Sequence, residues 1–350
     1  MSTSSAPAPN PLLGTIRRLT LGEAPVPEEL TEAFNLILAG DATPAQVAGL
    51  LVGLRVKGGG ETPIELAAVV RSFREAMVSL SADRPDDLVD TCGTGGGSIN
   101  TFNISTAAAL LVAGVGVRVA KHGNRSFTTQ CGSADVLEAL GVSIDVPVPV
   151  MESALRDAGI VFMFAPLMHP AMRHVGPVRR ELGVQTIMNL VGPLANPARA
   201  GRQVVGVSDP RRLPLIAGAL AELNSVHALV VHGEGMDEIS PFVPTQVIEV
   251  SRGTVRSWEI DPRRFGYGAG TAEDVAGGPP AANAAAIMRV LRAEGNATAT
   301  AAVVLNAAAA LYVAGRAVTY DDAVEQAKAA IDNGAGIVAL DRLRVAFART

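Results

Sequence analysis

A change of hydrophobic period near Pro85 narrows the possible folds more than any other feature of this chain. Beyond it, short apolar runs rich in β-branched residues alternate with stretches of helical period: Leu88–Asp90, Val117–Ala120, Val161–Phe164, Gln203–Val207 and His227–Val231. Runs this short read as strands, and strands separated by helical crossovers lie parallel. An α/β fold with a mostly parallel central sheet and helices on both faces is therefore expected. Thr245–Val250 and Thr254–Ile260 flank Ser251, Arg252 and Gly253 and read as a hairpin at the sheet edge. After Pro280 the chain reads as helical throughout, over Ala281–Arg292, Thr298–Ala314, Tyr320–Asn333 and a last helix to Phe347. Aromatic residues make up only 4% of the chain, so the core must be built from small side chains, and Ala308–Ala310 reads as a surface for close helix packing.

Before Pro85 the punctuation is helical. Glu28–Ala39 ends at Gly40. Thr43 and Pro44 open a periodic stretch to Val56 that Gly58, Gly59 and Gly60 stop, and Thr62 and Pro63 open another to about Met77. Three short amphipathic helices without a strand predict a small all-helical N-terminal domain. The expected layout is a helical domain over 12–80 with a later helical segment near 175–195, a larger α/β domain over 85–170 and 200–350, and a disordered tail over 1–11. The longest apolar run, Ala107–Val117, falls short of the ~20 residues a bilayer span needs. Met1–Pro11 has neither the basic nor the apolar region of a secretory signal, so a cytoplasmic protein without membrane contact is expected. Cys92 and Cys131 have no Cys or His at metal spacing and read as reduced thiols. A net charge of -5 provides no general basic field for nucleic acid.

Four clusters carry chemistry. The first runs from Asp90 through Gly93, Gly95, Gly96 and Gly97, and Asn103-Ile104-Ser105-Thr106 follows closely. Glycines after a strand let a ligand approach the backbone, and free amides there and at the next helix N-terminus suit a phosphate or pyrophosphate. No Gly-Lys-Ser/Thr follows, so this is not a nucleotide P-loop; a plain tight turn is the alternative. The second cluster, Lys121-His122-Gly123-Asn124-Arg125-Ser126 continuing to Thr128, Thr129 and Ser133, places cations, an amide and hydroxyls after a strand. That set suits a phosphorylated sugar. In the third, Asp237-Glu238, two adjacent carboxylates suit Mg²⁺, although such a pair equally belongs in a solvated turn. The fourth is His169-Pro170 through Arg173 with Arg179 beyond; a guanidinium could hold a planar carboxylate bidentately, or be an exposed helix arginine.

Together, Gly93-Thr-Gly-Gly96, Asn103-Ile-Ser-Thr106, Lys121-His-Gly-Asn-Arg125, Gly132-Ser-Ala-Asp135, Gly192-Pro-Leu-Ala-Asn-Pro197 and Asp237-Glu238 occur in an order and spacing that resembles the anthranilate phosphoribosyltransferase family. The resemblance extends from about Leu12 to the end of the chain. It implies a nucleoside phosphorylase/phosphoribosyltransferase-like fold, a homodimer formed through the helical domains, and a glycosyltransferase at the second committed step of tryptophan biosynthesis. Such an enzyme moves the phosphoribosyl group of phosphoribosyl pyrophosphate (PRPP) to the amine of anthranilate. Carried over, the resemblance assigns PRPP to Gly93, Gly96, Gly97, Thr101, Asn103, Ile104, Ser105 and Thr106. It also assigns PRPP to the loop Lys121, His122, Gly123, Asn124, Arg125, Ser126, Phe127, Thr128 and Thr129, and to Ser133. Gly93, Asn124 and Arg179 would contact anthranilate with His169 nearby, and Ser105, Asp237 and Glu238 would hold Mg²⁺. Lys121 and Mg²⁺ would stabilise the leaving pyrophosphate, and no nucleophile is assigned. The family usually has an aspartate where Gly97 stands, which bears on metal binding at this loop. A pyrimidine nucleoside phosphorylase is the nearest competing reading; it would use inorganic phosphate and have no need of Asp237-Glu238 for magnesium.

Overall fold

The structure, a computed structural model, describes residues 10–126 and 129–348, in two compact units. The first unit opens the chain with α1 (Pro11–Thr20), α2 (Pro27–Ala39), α3 (Pro44–Val56) and α4 (Pro63–Ala76). The second begins with β1 (Val89–Gly93), α5 (Ile104–Gly114), β2 (Val119–Gly123), α6 (Ser133–Ala139), α7 (Val148–Asp157), β3 (Ile160–Phe164) and the single turn α8 (Ala165–Met168). The chain then returns to the first unit for α9 (Gly176–Leu182) and α10 (Met188–Leu194). It completes the second with β4 (Arg202–Gly206), α11 (Leu213–Glu222), β5 (His227–Gly233), β6 (Thr245–Ser251), β7 (Thr254–Ile260), α12 (Pro280–Leu291), α13 (Ala297–Val313), α14 (Tyr320–Asp332) and α15 (Ala335–Phe347). Among the described residues no helix is long and apolar enough to cross a membrane.

In the helical unit the caps read from sequence are in place. Thr43 Oγ1 accepts from the Gln46 amide and the Gln46 side chain returns the bond to Thr43, and Thr62 and Glu65 do the same for α4. Gly40, at φ 91°, ends α2. The expected tail needs correction: Asn10 Oδ1 accepts from the Leu12 and Leu13 amides at 3.0 and 3.3 Å, and Pro11 is the first residue of α1. An Asn-Pro start satisfies helix donors within the segment itself, so Asn10 and Pro11 belong to the start of α1. Residues 1–9 lie outside the described part.

The second unit is a seven-stranded sheet in the order β3-β2-β1-β4-β5-β6-β7, with β3 to β5 parallel and the β6–β7 hairpin antiparallel. The α/β fold expected from the period change is the one found. The strand order reverses between β1 and β4, and ligands in doubly wound sheets bind beyond the carboxyl ends at such a switch point. β1 runs on past Asp90 to Gly93, so the glycine cluster begins inside the strand. β2 likewise extends through Lys121, His122 and Gly123, which the sequence had placed in a loop; they pair with Phe162, Met163 and Phe164 of β3. Lys121 is strand-forming here because its buried ammonium finds acceptors on neighbouring elements. The core is aliphatic and small: α5 buries Ala107–Ala113 and packs against α13, which buries Ala301–Leu311, and against α15.

In the helical unit His169 is only 8% exposed and its ring lies 6.5 Å from that of Phe73. Burial holds the imidazole down at about 4, because the charged form loses its hydration. Its unfolded value is near 6.5, so between these values the unfolded chain binds more protons. The contribution is fully present above pH 6.5 and is lost as pH falls through that window. Lowering pH from 7 to 5 is expected to cost about 2 kcal/mol through this group alone. Urea unfolding at both pH values should show the slope in the wild type and a shallower one in His169→Gln.

Candidate active site

The site is built at the carboxyl edge of the sheet, around the switch point. At the end of β1, Gly93 has no room for a Cβ, which would lie 2.5 Å from Asp237 Oδ2; at the end of β4, a Cβ on Gly206 would overlap the Asp237 carbonyl. Asp237 is thus seated between two strand ends, of which Gly206 must be glycine and Gly93 leaves room for the Asp237 carboxylate. Its Oδ2 accepts from the Gly95 amide at 2.8 Å, inside the glycine turn where Gly95 and Gly96 take φ of 69° and 82°. Burial raises the Asp237 carboxyl above the usual range.

The next residue reaches the other anion-binding element. Glu238 Oε1 accepts from the Ser105 amide at 3.1 Å, in the first turn of α5, where a helix N-terminus favours negative charge. Burial first, and then the charge of Asp237, push Glu238 up to about 8, with Lys121 opposing. Lys121 lies beneath the loop rather than on it. Its ammonium donates to the Thr91 carbonyl and to Ser105 Oγ, and burial lowers its pKa against the pull of Asp90, Cys92 and Glu238. Thr91, Ser105, Val204, Gly206, Glu238 and Asn306 help line a cavity of about 10 Å³, room for one water.

The second loop is internally bonded. Asn124 Oδ1 accepts from its neighbour Arg125, and the Ser126 and Thr129 hydroxyls pair at 2.5 Å. Arg125, expected to face a phosphate, has its guanidinium on Asp135 at 2.8 Å and on Glu138 at 2.5 and 3.0 Å, and lies over the Phe164 ring. Both carboxylates belong to α6, and Asp135 also accepts from the Gly132 and Ser126 amides. In this arrangement Arg125 shapes the loop instead of offering an unpaired charge. Ser133 Oγ lies 3.4 Å from the Asn124 carbonyl, and Thr101 forms an antiparallel bridge with Ala276. Ile104, Thr106 and His122 are buried, and the side chains of Ile104 and Thr106 belong to the packing of α5. Phe127 and Thr128 lie outside the described residues.

Gly93 and Asn124 belong to the α/β unit, whereas His169 and Arg179 belong to the helical unit. Among the described residues no carboxylate pairs with Arg179, and burial lowers its pKa. Sequence reading missed two asparagines. Asn306 interrupts the apolar face of α13 and grips Ile239, accepting from its amide and donating to its carbonyl, both at 3.0 Å, one residue beyond Glu238. A lone amide in a long alanine-rich run was the available signal. Asn196, within the Gly192–Pro197 motif, donates to Asp90 Oδ2 and the Ala120 carbonyl, both at 2.8 Å.

Gly97 has a physical reason in this chain. A Cβ there would sit 2.7 Å from the Gly235 carbonyl oxygen, and the same oxygen accepts from the Ile99 amide at 3.0 Å. The turn before Asp237 packs directly on the glycine loop, so the aspartate usual in the family does not fit without a backbone shift. Gly97→Asp is expected to cost ~1–3 kcal/mol of stability by overpacking. Urea unfolding measures it, and a variant as stable as the wild type would reject the contact.

Comparison with known proteins extends over nearly the whole chain. Residues 85–337 match the glycosyl transferase family a/b domain, and residues 14–77 its helical bundle domain. Anthranilate phosphoribosyltransferase of Agrobacterium fabrum is 44% identical over 328 residues, 94% of each chain, and that of Roseiflexus castenholzii is 45% identical over 335 residues, 95% of this chain and 97% of its own. The crystal structure of the Thermus thermophilus enzyme superposes with a TM-score of 0.89 at 41% identity, over 95% of this chain and 99% of that one. The Saccharomyces cerevisiae enzyme in complex with PRPP and Mg has the same fold, with a TM-score of 0.86 at 24% identity over 97% and 98% of the two chains. With its helical bundle, its switch-point site and this degree of identity, the chain belongs to the anthranilate phosphoribosyltransferase family.

Proposed function

We propose that the protein transfers the phosphoribosyl group of PRPP to the amine of anthranilate, giving N-(5-phosphoribosyl)anthranilate and pyrophosphate, the second step of tryptophan biosynthesis. The observation that carries the reading is the interlock of Asp237 and Glu238 with the glycine turn and the α5 N-terminus, which sets paired carboxylates beside two anion-binding backbone elements. An arylamine is neutral at pH 7 and needs no strong base before attack. The nitrogen bonds to C1 of the ribose as the bond from C1 to the pyrophosphate oxygen breaks, and the proton is released from the product nitrogen. A transition state of oxocarbenium character is expected, so the protein's task is to orient the amine and hold the departing charge. Backbone amides of the glycine turn and the charge of Lys121 beneath Ser105 serve the leaving group.

The donor set fits magnesium. Asp237, Glu238 and Ser105 offer hard oxygen atoms, and burial drives both carboxyls toward protonation, a cost that a bound cation would offset. Bound there, Mg²⁺ supplies positive charge to the pyrophosphate. Arg179, with no carboxylate partner among the described residues, is suited to the anthranilate carboxylate. Homodimerisation through the helical unit is supported by the exposed apolar Leu13, Val52, Val56 and Ile64. A cytoplasmic location is supported by Cys92 and Cys131, which are thiols and not joined in a disulfide.

The test is PRPP turnover against a panel of aminobenzoates, with and without Mg²⁺. Anthranilate is expected to be the acceptor, and turnover that requires inorganic phosphate instead would reject the reading. Asp237→Ala/Glu238→Ala is expected to lower Mg²⁺-dependent turnover by orders of magnitude while the far-UV circular dichroism is retained. Arg179→Ala should raise the KM for anthranilate far more than that for PRPP, and Arg179→Lys should not restore it.

A further inference from the structure

We propose that Asn283, in the first turn of α12, is a positioning residue for the PRPP-binding loops. The inference rests on the function proposed above and deepens it. Asn283 is 2% exposed on a helix that carries none of the ligand motifs. Its amide nitrogen donates to Asn103 Oδ1 at 3.0 Å and its own oxygen accepts from the Gly278 amide at 2.8 Å. Asn103 in turn donates from Nδ2 to the Cys131 carbonyl at 3.2 Å, and the Cys131 thiol donates to Asn103 Oδ1 at 3.3 Å. The order of donors and acceptors is fixed along this chain. Because Asn283 donates, Asn103 must present its oxygen to Asn283 and the Cys131 thiol, which turns its NH₂ group toward the Cys131 carbonyl.

Asn103 stands at the cap position of α5 yet makes no side-chain cap bond; its amide is committed to the clamp. The backbone reinforces it. The Phe102 amide donates to the Val275 carbonyl at 3.0 Å, the Gly277 amide to the Asn100 carbonyl at 2.9 Å, and Thr101 bridges Ala276. Gly277 must lack a Cβ, which would run into the Thr101 carbonyl. The strap from Val275 to Asn283 therefore holds the approach to α5, and through Asn103 it also holds the Cys131 end of the loop that follows β2. Two loops on different strands are set by one buried amide on a third element.

The experiment compares Asn283→Ala and Asn283→Asp, each alone and in an Asn103→Ala background. Steady-state kinetics vary PRPP and anthranilate separately, and hydrogen exchange is followed at residues 131–133 in the ligand-free protein. Asn283→Ala is expected to raise the KM for PRPP about tenfold while changing that for anthranilate less than about twofold, with faster exchange at 131–133. Asn283→Asp keeps the acceptor for Gly278 and removes the donor to Asn103, so it should give the same PRPP shift; it also serves if the alanine variant does not fold. In the Asn103→Ala background either substitution should add little, because the shared path is already broken. Unchanged PRPP KM with unchanged exchange, or an equal effect in both backgrounds, overturns the proposal. A wild-type protein that does not turn over PRPP rejects the proposed function instead, and the exchange measurement still decides whether the clamp exists.

Discussion

Asp90 has no exposure to solvent, and loss of hydration drives its carboxyl up to about 6 against the attraction of the Lys121 ammonium. A buried carboxylate must be satisfied on all sides or give up its charge. Asn196 donates to one oxygen, the His122 amide to the other at 3.2 Å, and Asn196 uses its remaining capacity on the Ala120 carbonyl and the Ala198 and Ala200 amides. One carboxylate and one amide therefore tie β1, β2 and the turn before β4 together, immediately below the strand ends. Thr91, Lys121 and Gly93 owe their positions to that tie, and the ligand-facing edge is only as well defined as the buried polar layer under it.

The legible part of the sequence was the part whose physics is local. Thr43-Pro44 and Thr62-Pro63 announce helices because the capping hydrogen bonds close within a few residues. The first helix was overlooked because its Asn10 cap follows a segment rich in Ser, Ala and Pro that reads as tail. Lys121 and His122 looked like loop residues because nothing nearby in sequence reveals the acceptors that allow a lysine to be buried; Thr91 and Ser105 come from β1 and α5. The same holds for Arg125. Its commitment to Asp135 and Glu138 depends on how α6 folds back, which composition does not record. Glycine clusters and paired acids pointed to the candidate site, whereas among the amides around it Asn196 lies in the Gly192–Pro197 motif, Asn306 breaks an alanine-rich run and Asn283 carries no local pattern.

Physically, the site joins two kinds of anion holder to one acidic turn. A glycine turn offers amides at positive φ, the start of α5 offers its helix end, and the 233–238 turn answers each with a carboxylate. In this state the acids satisfy the amides, so the turn and the loops are mutually supporting. A phosphorylated ligand and a cation would take over those partners in exchange, and the polar groups would pass from one set of bonds to another without being left bare.

The alanine seam between α5 and α13 also bears on how this family can diverge. Where α5, buried over Ala107–Ala113, packs against α13, whose buried stretch includes Ala307–Ala310, a larger residue has little slack into which to expand. A single enlargement on one helix requires a matching reduction on the other. Drift at these positions should therefore move in compensating pairs, and chains that share the site to the last residue could still be unable to exchange one of these two helices alone.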